Sequence, residues 1–267
     1  MPELPEVEIQ RRNLERWWSG RRVLAIRVAD AEAVRQGAVE SLVGRVVAGV
    51  RRRGKHLIVD FEGEPGVCAL LHLRMTGKIV PIGVEGRPGA RLEVEVEGAG
   101  RFAFLDTRRL GHLDVLSPEA MGEHGPLEAM GPEPWPRPLG GAEIQEALRG
   151  TGRAIKVALM DQAVIAGVGN IVAIEALWVA GIDPSAIARE LEVEALGRIG
   201  RALREVCEAV IVAEEGDEIA YLNDPGQPRG ENPFSIYQQE ICPRCGGAVG
   251  RLTQSGRTTY WCPSCQR

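Results

Sequence analysis

Met1-Pro2-Glu3-Leu4-Pro5-Glu6 opens the chain. If Met1 is removed, Pro2 becomes a secondary amine at the chain end with Glu3 beside it, and the small proline ring permits that removal. An α-amino group has an ordinary pKa of about 8, so a fraction is an unprotonated nucleophile at neutral pH. A secondary amine attacking a sugar C1′ forms a cationic Schiff base, and the adjacent carboxylate can shuttle protons. The alternative is an unstructured start whose prolines only delay a helix.

Outward from this start, residues 3–18 carry an amphipathic helix pattern ending near Ser19-Gly20. Strand patterns follow at Val23–Val28, Val46–Arg51, Leu57–Phe61, Val67–Leu73, Lys78–Ile82, Leu92–Val96 and Arg101–Leu105. Leu92-Glu-Val-Glu-Val96 alternates as a half-buried strand does. Runs of this length bounded by Gly and Pro predict a β-sandwich or barrel. Residues 118–141 hold six prolines and five glycines and read as a linker. Helical patterns then occupy about 141–150, 153–160, 169–180 and 189–215, and residues 216–240 read as a loop rich in Gly, Pro and Asn.

Near the other end stand Cys242-Pro-Arg-Cys245 and Cys262-Pro-Ser-Cys265, two C-x-x-C pairs with sixteen residues between them. Each pair presents two thiolates from a tight turn, and together they make a tetrahedral S4 site for one structural Zn2+. Two disulfides are the alternative. The chain shows no leader sequence, and reduced thiols at a metal site point to the cytoplasm. Cys68 and Cys207 lie in apolar runs and read as small core residues.

The two ends and the segments between them resemble the formamidopyrimidine-DNA glycosylase family, bifunctional repair enzymes related to endonuclease VIII. The resemblance runs nearly end to end: MPELPEVE at the start, RRRGKHL at 51–57, HLRMTG at 72–77, DTRRLG at 106–111, MGPEPW at 130–135, AIKVALMDQ at 154–162, GVGNI at 167–171 and the terminal finger. It implies an α+β multidomain chain: an N-terminal β-sandwich with flanking helices (1–117), the linker (118–141), a helical helix-two-turn-helix domain (142–235) and a zinc finger (236–267). It also implies removal of an oxidised base from double-stranded DNA, followed by β,δ-elimination at the abasic site, by a monomer in a bacterial-type cytoplasm, on the nucleoid.

The resemblance assigns roles residue by residue. Pro2 is the nucleophile and Glu3 the general acid/base. Lys55 donates to the opened sugar, and Arg257 clamps the phosphate beside the lesion. The damaged nucleotide has to leave the stack. Met75 fills the void, Arg108 contacts the orphaned base, and Leu110 stands where the family usually has phenylalanine. A leucine wedges but does not stack as an aromatic plane. Arg153, Lys156 and Asn170 match phosphate-holding positions. Val172, where the family often has tyrosine, and the loop at 221–236 depart from the pattern. The MPELPE start is closer to the oxidised-purine branch. Oxidised pyrimidines, or a damage-binding protein without turnover, are the competing readings.

The net charge of −5 argues against nucleic-acid binding when read globally. Locally, residues 189–218 hold nine acids against four bases, while the last 27 residues hold Arg244, Arg251, Arg257 and Arg267 and no acid. Arg51-Arg52-Arg53 with Lys55 is a second basic cluster. Phosphate binding needs basic groups on one surface, not a basic total. No apolar stretch is long enough to span a bilayer.

Overall fold

A computed structural model describes residues 2–219 and 234–267. The chain divides into two compact units, residues 1–128 with 213–227 and residues 129–212 with 228–267.

The first unit begins with helix α1 (Leu4–Trp18). Pro5 sits in its first turn, where a missing amide costs nothing. Strands β1 (Val23–Val28), β2 (Val34–Gln36), β3 (Val47–Arg53), β4 (His56–Phe61), β5 (Val67–His72), β6 (Lys78–Ile82), β7 (Ala90–Val96), β8 (Gly100–Leu105) and β9 (His112–Leu116) follow. They form a four-stranded sheet in the order β1-β7-β8-β6 and a five-stranded sheet in the order β2-β9-β5-β4-β3. Two open sheets, not a closed barrel, share one core of Val7, Leu14, Trp18, Leu57, Val59, Leu71, Leu92, Phe102 and Phe104, among others.

The position of α1 is fixed by polar side chains as well as by this core. Gln10 accepts from the amide of Ile79 at 2.7 Å, and Glu15 accepts from the amide of Val50 at 2.6 Å. Ile79 is on β6 and Val50 on β3, one of the two edge strands of each sheet. An unpaired edge is a template for other chains, and α1 satisfies an amide on both.

Two expectations are adjusted here. Residues 118–141, read as linker, carry short helices α2 (Pro118–Gly122) and α3 (Gly125–Glu128), with Ser117 capping the first. The triple arginine is not one basic face. Arg52 is buried against Glu8 at 3.1 Å, and Arg51 makes a two-pronged pair with Asp60 at 2.5 and 2.8 Å.

The second unit holds α4 (Gly141–Ala147), α5 (Ile155–Leu159), α6 (Asn170–Ala180), α7 (Val193–Ala213) and the hairpin of β10 (Gly250–Gln254) and β11 (Arg257–Trp261). Between α5 and α6, Gln162 accepts from the amide of Gly167 and donates to the carbonyls of Met160 and Val168, stapling the double turn. Gly181 ends α6 in the left-handed conformation, and the amide of Arg267 donates to its carbonyl at 3.1 Å. Gln266, 2% exposed, links the amide of Cys262 to the carbonyl of Ile182. The finger is thus docked on the end of α6.

Candidate active site and DNA-binding residues

Pro2 is buried, and Glu3 is 1% exposed at the N-cap of α1. Glu3 and Glu6 form a reciprocal capping box: Glu6 takes the amide of Glu3 at 2.8 Å, and the Glu3 side chain takes the amide of Glu6. A carboxylate at a helix start also gains from the helix dipole. Burial, and then the charge of Glu3, raise the carboxyl of Glu6.

A third carboxylate enters from the segment after α7. Asn13 donates to the carbonyl of Gly216 at 2.7 Å, and Arg12 pairs with Glu215 and Arg16 with Asp217, laying the segment along α1. Lys78 and Arg87 hold Glu218 at 3.0 and 3.5 Å. Glu214 is pushed up to about 7 by burial and then by the charge of Glu6, with the chain's amino group pulling the other way. Sequence reading missed Glu6 and Glu214; only the fold brings residue 214 to the chain's start.

Lys55 occupies the two-residue turn joining β3 to β4, closed by Arg53 and His56. Gly54 precedes it with φ 56°, the conformation a type II′ turn requires at its first central position. Beside it, His56, His72 and His112 are cross-strand neighbours on β4, β5 and β9. The His56 and His72 rings lie edge to face at 4.4 Å. Burial first, then the neighbouring histidines and Arg74, push His56 down to about 4 and His72 to about 2. Both are neutral at pH 7, and Nδ1 of His72 accepts the amide of Arg74 at 3.0 Å.

Met75 is half-buried in the turn after β5, next to Arg74 in the left-handed conformation (φ 58°). Gly77 closes that turn; a Cβ there would lie 2.4 Å from the carbonyl oxygen of Leu73. Arg108 is exposed on the loop between β8 and β9, and Leu110 on the same loop is 48% exposed.

In the second unit Lys156 is fully buried, and its Nζ donates to Oδ1 of Asn170 at 2.6 Å. Asn170 opens α6, and its Nδ2 donates to the carbonyl of Thr258 at 3.3 Å. Thr258 follows Arg257, which is exposed as the first residue of β11. Ser255 and Gly256 make the hairpin tip with φ 48° and 71°, the two positive values of a type I′ turn. Arg153 pairs with Asp161 at 2.9 Å and with Thr151 at 3.0 Å. Val172 is buried at 3% exposure and serves the core. Residues 221–233 of the departing loop lie outside the described residues.

The sulfur atoms of Cys242, Cys245, Cys262 and Cys265 all lie within 4.8 Å of one another. Four Zn–S bonds of about 2.3 Å place tetrahedral sulfurs about 3.8 Å apart; Cys242 to Cys265 is 3.9 Å and Cys245 to Cys262 is 3.5 Å. Trp178 donates Nε1 to the sulfur of Cys242 at 3.4 Å, the kind of outer partner that orients a ligand. The donor set and spacing fit one zinc ion whose role is to crosslink the hairpin.

One structural anchor escaped the sequence reading. Glu175, 3% exposed on α6, accepts the amides of Ser235, Ile236 and Tyr237 at 2.9, 2.9 and 2.7 Å. Burial pushes its carboxyl up, and these amides pull it back. It fixes the chain where it enters the finger. A lone Glu in an apolar helix was the available signal.

Comparison with known proteins places these features. Residues 1–113 match the formamidopyrimidine-DNA glycosylase N-terminal domain, 130–220 the H2TH domain of the same enzymes, and 240–267 the zinc finger found in FPG and IleRS. The chain is 37% identical to a formamidopyrimidine-DNA glycosylase of Cereibacter sphaeroides and 36% identical to one of Halorhodospira halophila, over the full length of both partners. Among solved structures it is similar to a Lactococcus lactis FPG variant with Fapy-dG containing DNA (TM-score 0.85, 28% identity, full coverage of both chains). A complex of the L. lactis protein with DNA containing an abasic site gives a TM-score of 0.85 at 27% identity, with 99% of each chain covered.

Proposed function

The chain belongs to the formamidopyrimidine-DNA glycosylase family, and from that premise we propose how its own residues divide the reaction. It is a base-excision-repair DNA glycosylase with abasic-site lyase activity, acting on double-stranded DNA. The observation that carries the assignment of roles is the chain's start: Pro2 buried and Glu3 held as the N-cap of α1.

Removal of Met1 leaves Pro2 as the amine. Its nitrogen lone pair forms a bond to C1′, and the glycosidic bond breaks with its electrons going to the base. Glu3 handles the proton the leaving base takes and the proton the sugar oxygen takes as the ring opens. Once the nitrogen has passed its N–H proton to Glu3, its lone pair expels the ring oxygen from C1′ and forms the iminium, which acidifies C2′. A base removes the C2′ proton and the 3′ phosphate leaves; a second elimination expels the 5′ phosphate. Lys55 supplies a compact positive charge at the opened sugar. Arg257, on the rigid hairpin tip, clamps the neighbouring phosphate with a planar fork. The buried Lys156 and Asn170 present the start of α6 to a second phosphate, with the helix dipole behind it. Met75, Arg108 and Leu110 occupy the duplex after the damaged nucleotide leaves. Cys242, Cys245, Cys262 and Cys265 would hold zinc, which would crosslink the hairpin. Arg153 supports the same surface from its pair with Asp161.

The substrate class is oxidised purines, on the MPELPE start and the Fapy-dG complex of the similar L. lactis protein. A second reading, oxidised pyrimidines, is favoured by a complex of that protein with an oxidised pyrimidine containing DNA. No helix among the described residues is long and apolar enough to cross a membrane. We place the working enzyme in the cytoplasm on the nucleoid, as a single chain with its sandwich at 1–117, joining segment at 118–141, helical domain at 142–235 and finger at 236–267.

The test is borohydride trapping on duplexes carrying 8-oxoguanine, a formamidopyrimidine, an oxidised pyrimidine or an abasic site. A covalent adduct at Pro2 with the purine lesions supports the reading. Adduct with pyrimidine lesions alone moves the substrate class. Binding without any adduct overturns the chemistry.

A further inference from the structure

The two loops that carry Met75 and Arg108 are separate in sequence and joined in the fold. Oγ1 of Thr76, the residue after Met75, accepts the backbone amide of Arg108 at 3.2 Å. The same hydroxyl donates to Oδ1 of Asp106, which also accepts the Arg108 amide at 3.2 Å. Oδ2 of Asp106 accepts the amide of Gly111 at 2.6 Å. One carboxylate therefore ties both ends of the Arg108–Leu110 loop and reaches across to the Met75 turn.

This carboxylate is built in. Asp106 is 3% exposed, and Arg91, 2% exposed, backs it at 3.4 Å while donating to the carbonyl of Gly111 at 2.5 Å. Arg91 is held in turn by Asp30 at 2.7 Å, and Asp30 pairs with Arg109 at 2.9 Å. Arg109, with φ 54°, and Arg74, with φ 58°, put a left-handed kink in each loop. A non-glycine residue in that region is uncommon and persists where the surroundings enforce it. Here the enforcing bonds are the Thr76–Asp106–Arg91 chain for one loop and the His72 acceptor for the other.

We propose that Thr76 and Asp106 are positioning residues that make the Met75 turn and the Arg108–Leu110 loop a single rigid probe, so that the void and the orphaned base are engaged in one event. This rests on the roles assigned to Met75 and Arg108 above. If two side chains on one rigid body must enter the duplex in a single event, losing either spoils that event, and losing the second adds little. Two side chains on independent loops contribute independently, and their losses multiply. The Thr76 hydroxyl is the part of the link that can be removed while Arg91 and the amides of Arg108 and Gly111 still hold the Asp106 carboxylate.

The experiment is a mutant cycle on single-turnover excision from an 8-oxoguanine duplex. Met75→Ala, Arg108→Ala and the pair are each measured with Thr76 present, with Thr76→Val and with Thr76→Ser. With Thr76 present, the pair is expected to lose no more than about twofold beyond the worse single change, against the multiplied losses expected of independent sites. In the Thr76→Val background the two losses should multiply, and Thr76→Ser, which keeps the hydroxyl, should restore the native pattern. Melting temperatures confirm folding, and Thr76→Ala replaces Thr76→Val if valine proves unstable. Equal coupling in all three backgrounds overturns the rigid-probe proposal. If neither Met75→Ala nor Arg108→Ala changes the rate, the assigned roles fail first and the proposal falls with them.

Discussion

Nζ of Lys156 and Oδ1 of Asn170 lie 2.6 Å apart, a bond between a fully buried ammonium and the first residue of α6. The other end of the Asn170 amide reaches the hairpin strand beside Arg257. One asparagine therefore joins the double turn to the finger. Two substitutions should separate its structural part from its part in binding DNA. Asn170→Leu removes an acceptor from a charged donor and is expected to cost about 1.5–3 kcal/mol of stability. Asn170→Asp keeps the acceptor for Lys156 but adds a negative charge facing phosphate. It loses the donor to Thr258, so it should melt below the parent but above Asn170→Leu and bind DNA more weakly, which melting curves and fluorescence anisotropy will read separately.

Freshly purified, reduced protein should contain one zinc per chain. Cys245→Ser should lose the metal and most DNA affinity, since the finger carries Arg257, while the sandwich keeps its fold on its own core. Metal analysis with near-ultraviolet circular dichroism checks both. A protein with four cysteines and no zinc refutes the site.

On the proposed roles, Glu3→Gln should abolish base removal and leave residual lyase activity on preformed abasic DNA, because base departure would need the proton assigned to Glu3 while Pro2 would still supply the amine. Lys55→Ala should follow the same direction less steeply. Arg257→Ala should weaken binding, lowering the salt slope by roughly one for the lost phosphate contact, and slow the second elimination. Glycosylase and lyase rates on matched duplexes test the division; proportional loss of both in all three variants argues against it.

Stability should fall as pH drops from about 6.5 toward 4, in part through His56. Its folded pKa, about 4, is depressed below the ordinary 6.5, so in that window the unfolded chain binds a proton the folded one excludes. His56→Gln should flatten that part of the curve of melting temperature against pH.

Glu214 acts in the opposite sense. Its folded pKa, about 7, lies above the ordinary 4.5, so its contribution is fully present below pH 4.5 and is lost as pH rises through 7. Glu214→Gln should therefore steepen the rise of stability with pH between 4.5 and 6.5 and raise stability at pH 8. The same pair of melting series reads both effects; a Glu214→Gln curve parallel to the parent would show that the carboxyl titrates normally.

The order of elements was legible wherever a segment announces itself. The α1 pattern, seven of the nine sandwich strands, and the four cysteines with their spacing could be read directly. Strand β2 is three residues long and pairs in parallel with β9, whose His-Leu-Asp-Val-Leu has no clean alternation. Their reason for being strands lies in their neighbours. The helices α2 and α3 were hidden by proline and glycine that cap and start short helices as readily as they break long ones. Within the candidate site, Pro2, Glu3 and the four cysteines could be proposed from sequence because the chemistry they suggest is local. Glu175, Asp106 and Glu214 did not, because each gains its meaning from partners 5 to more than 200 positions away. The arginine run at 51–53 misled in the other direction: successive residues of a strand face opposite ways, so Arg51 and Arg52 found different acids.

Every residue from Pro2 to Gln10 is buried in the finished fold. A peptidase acting on the finished fold would meet a chain start whose second to tenth residues are already packed. On the proposed role of Pro2, the trimming that frees its amine is expected on the nascent chain, before β3 and β6 have been made to receive α1. Maturation of the nucleophile is then a race between processing and folding, and protein that folds first stays inactive without being damaged. Rapid overproduction should give two populations of equal stability and different mass, only one of which can be trapped on DNA.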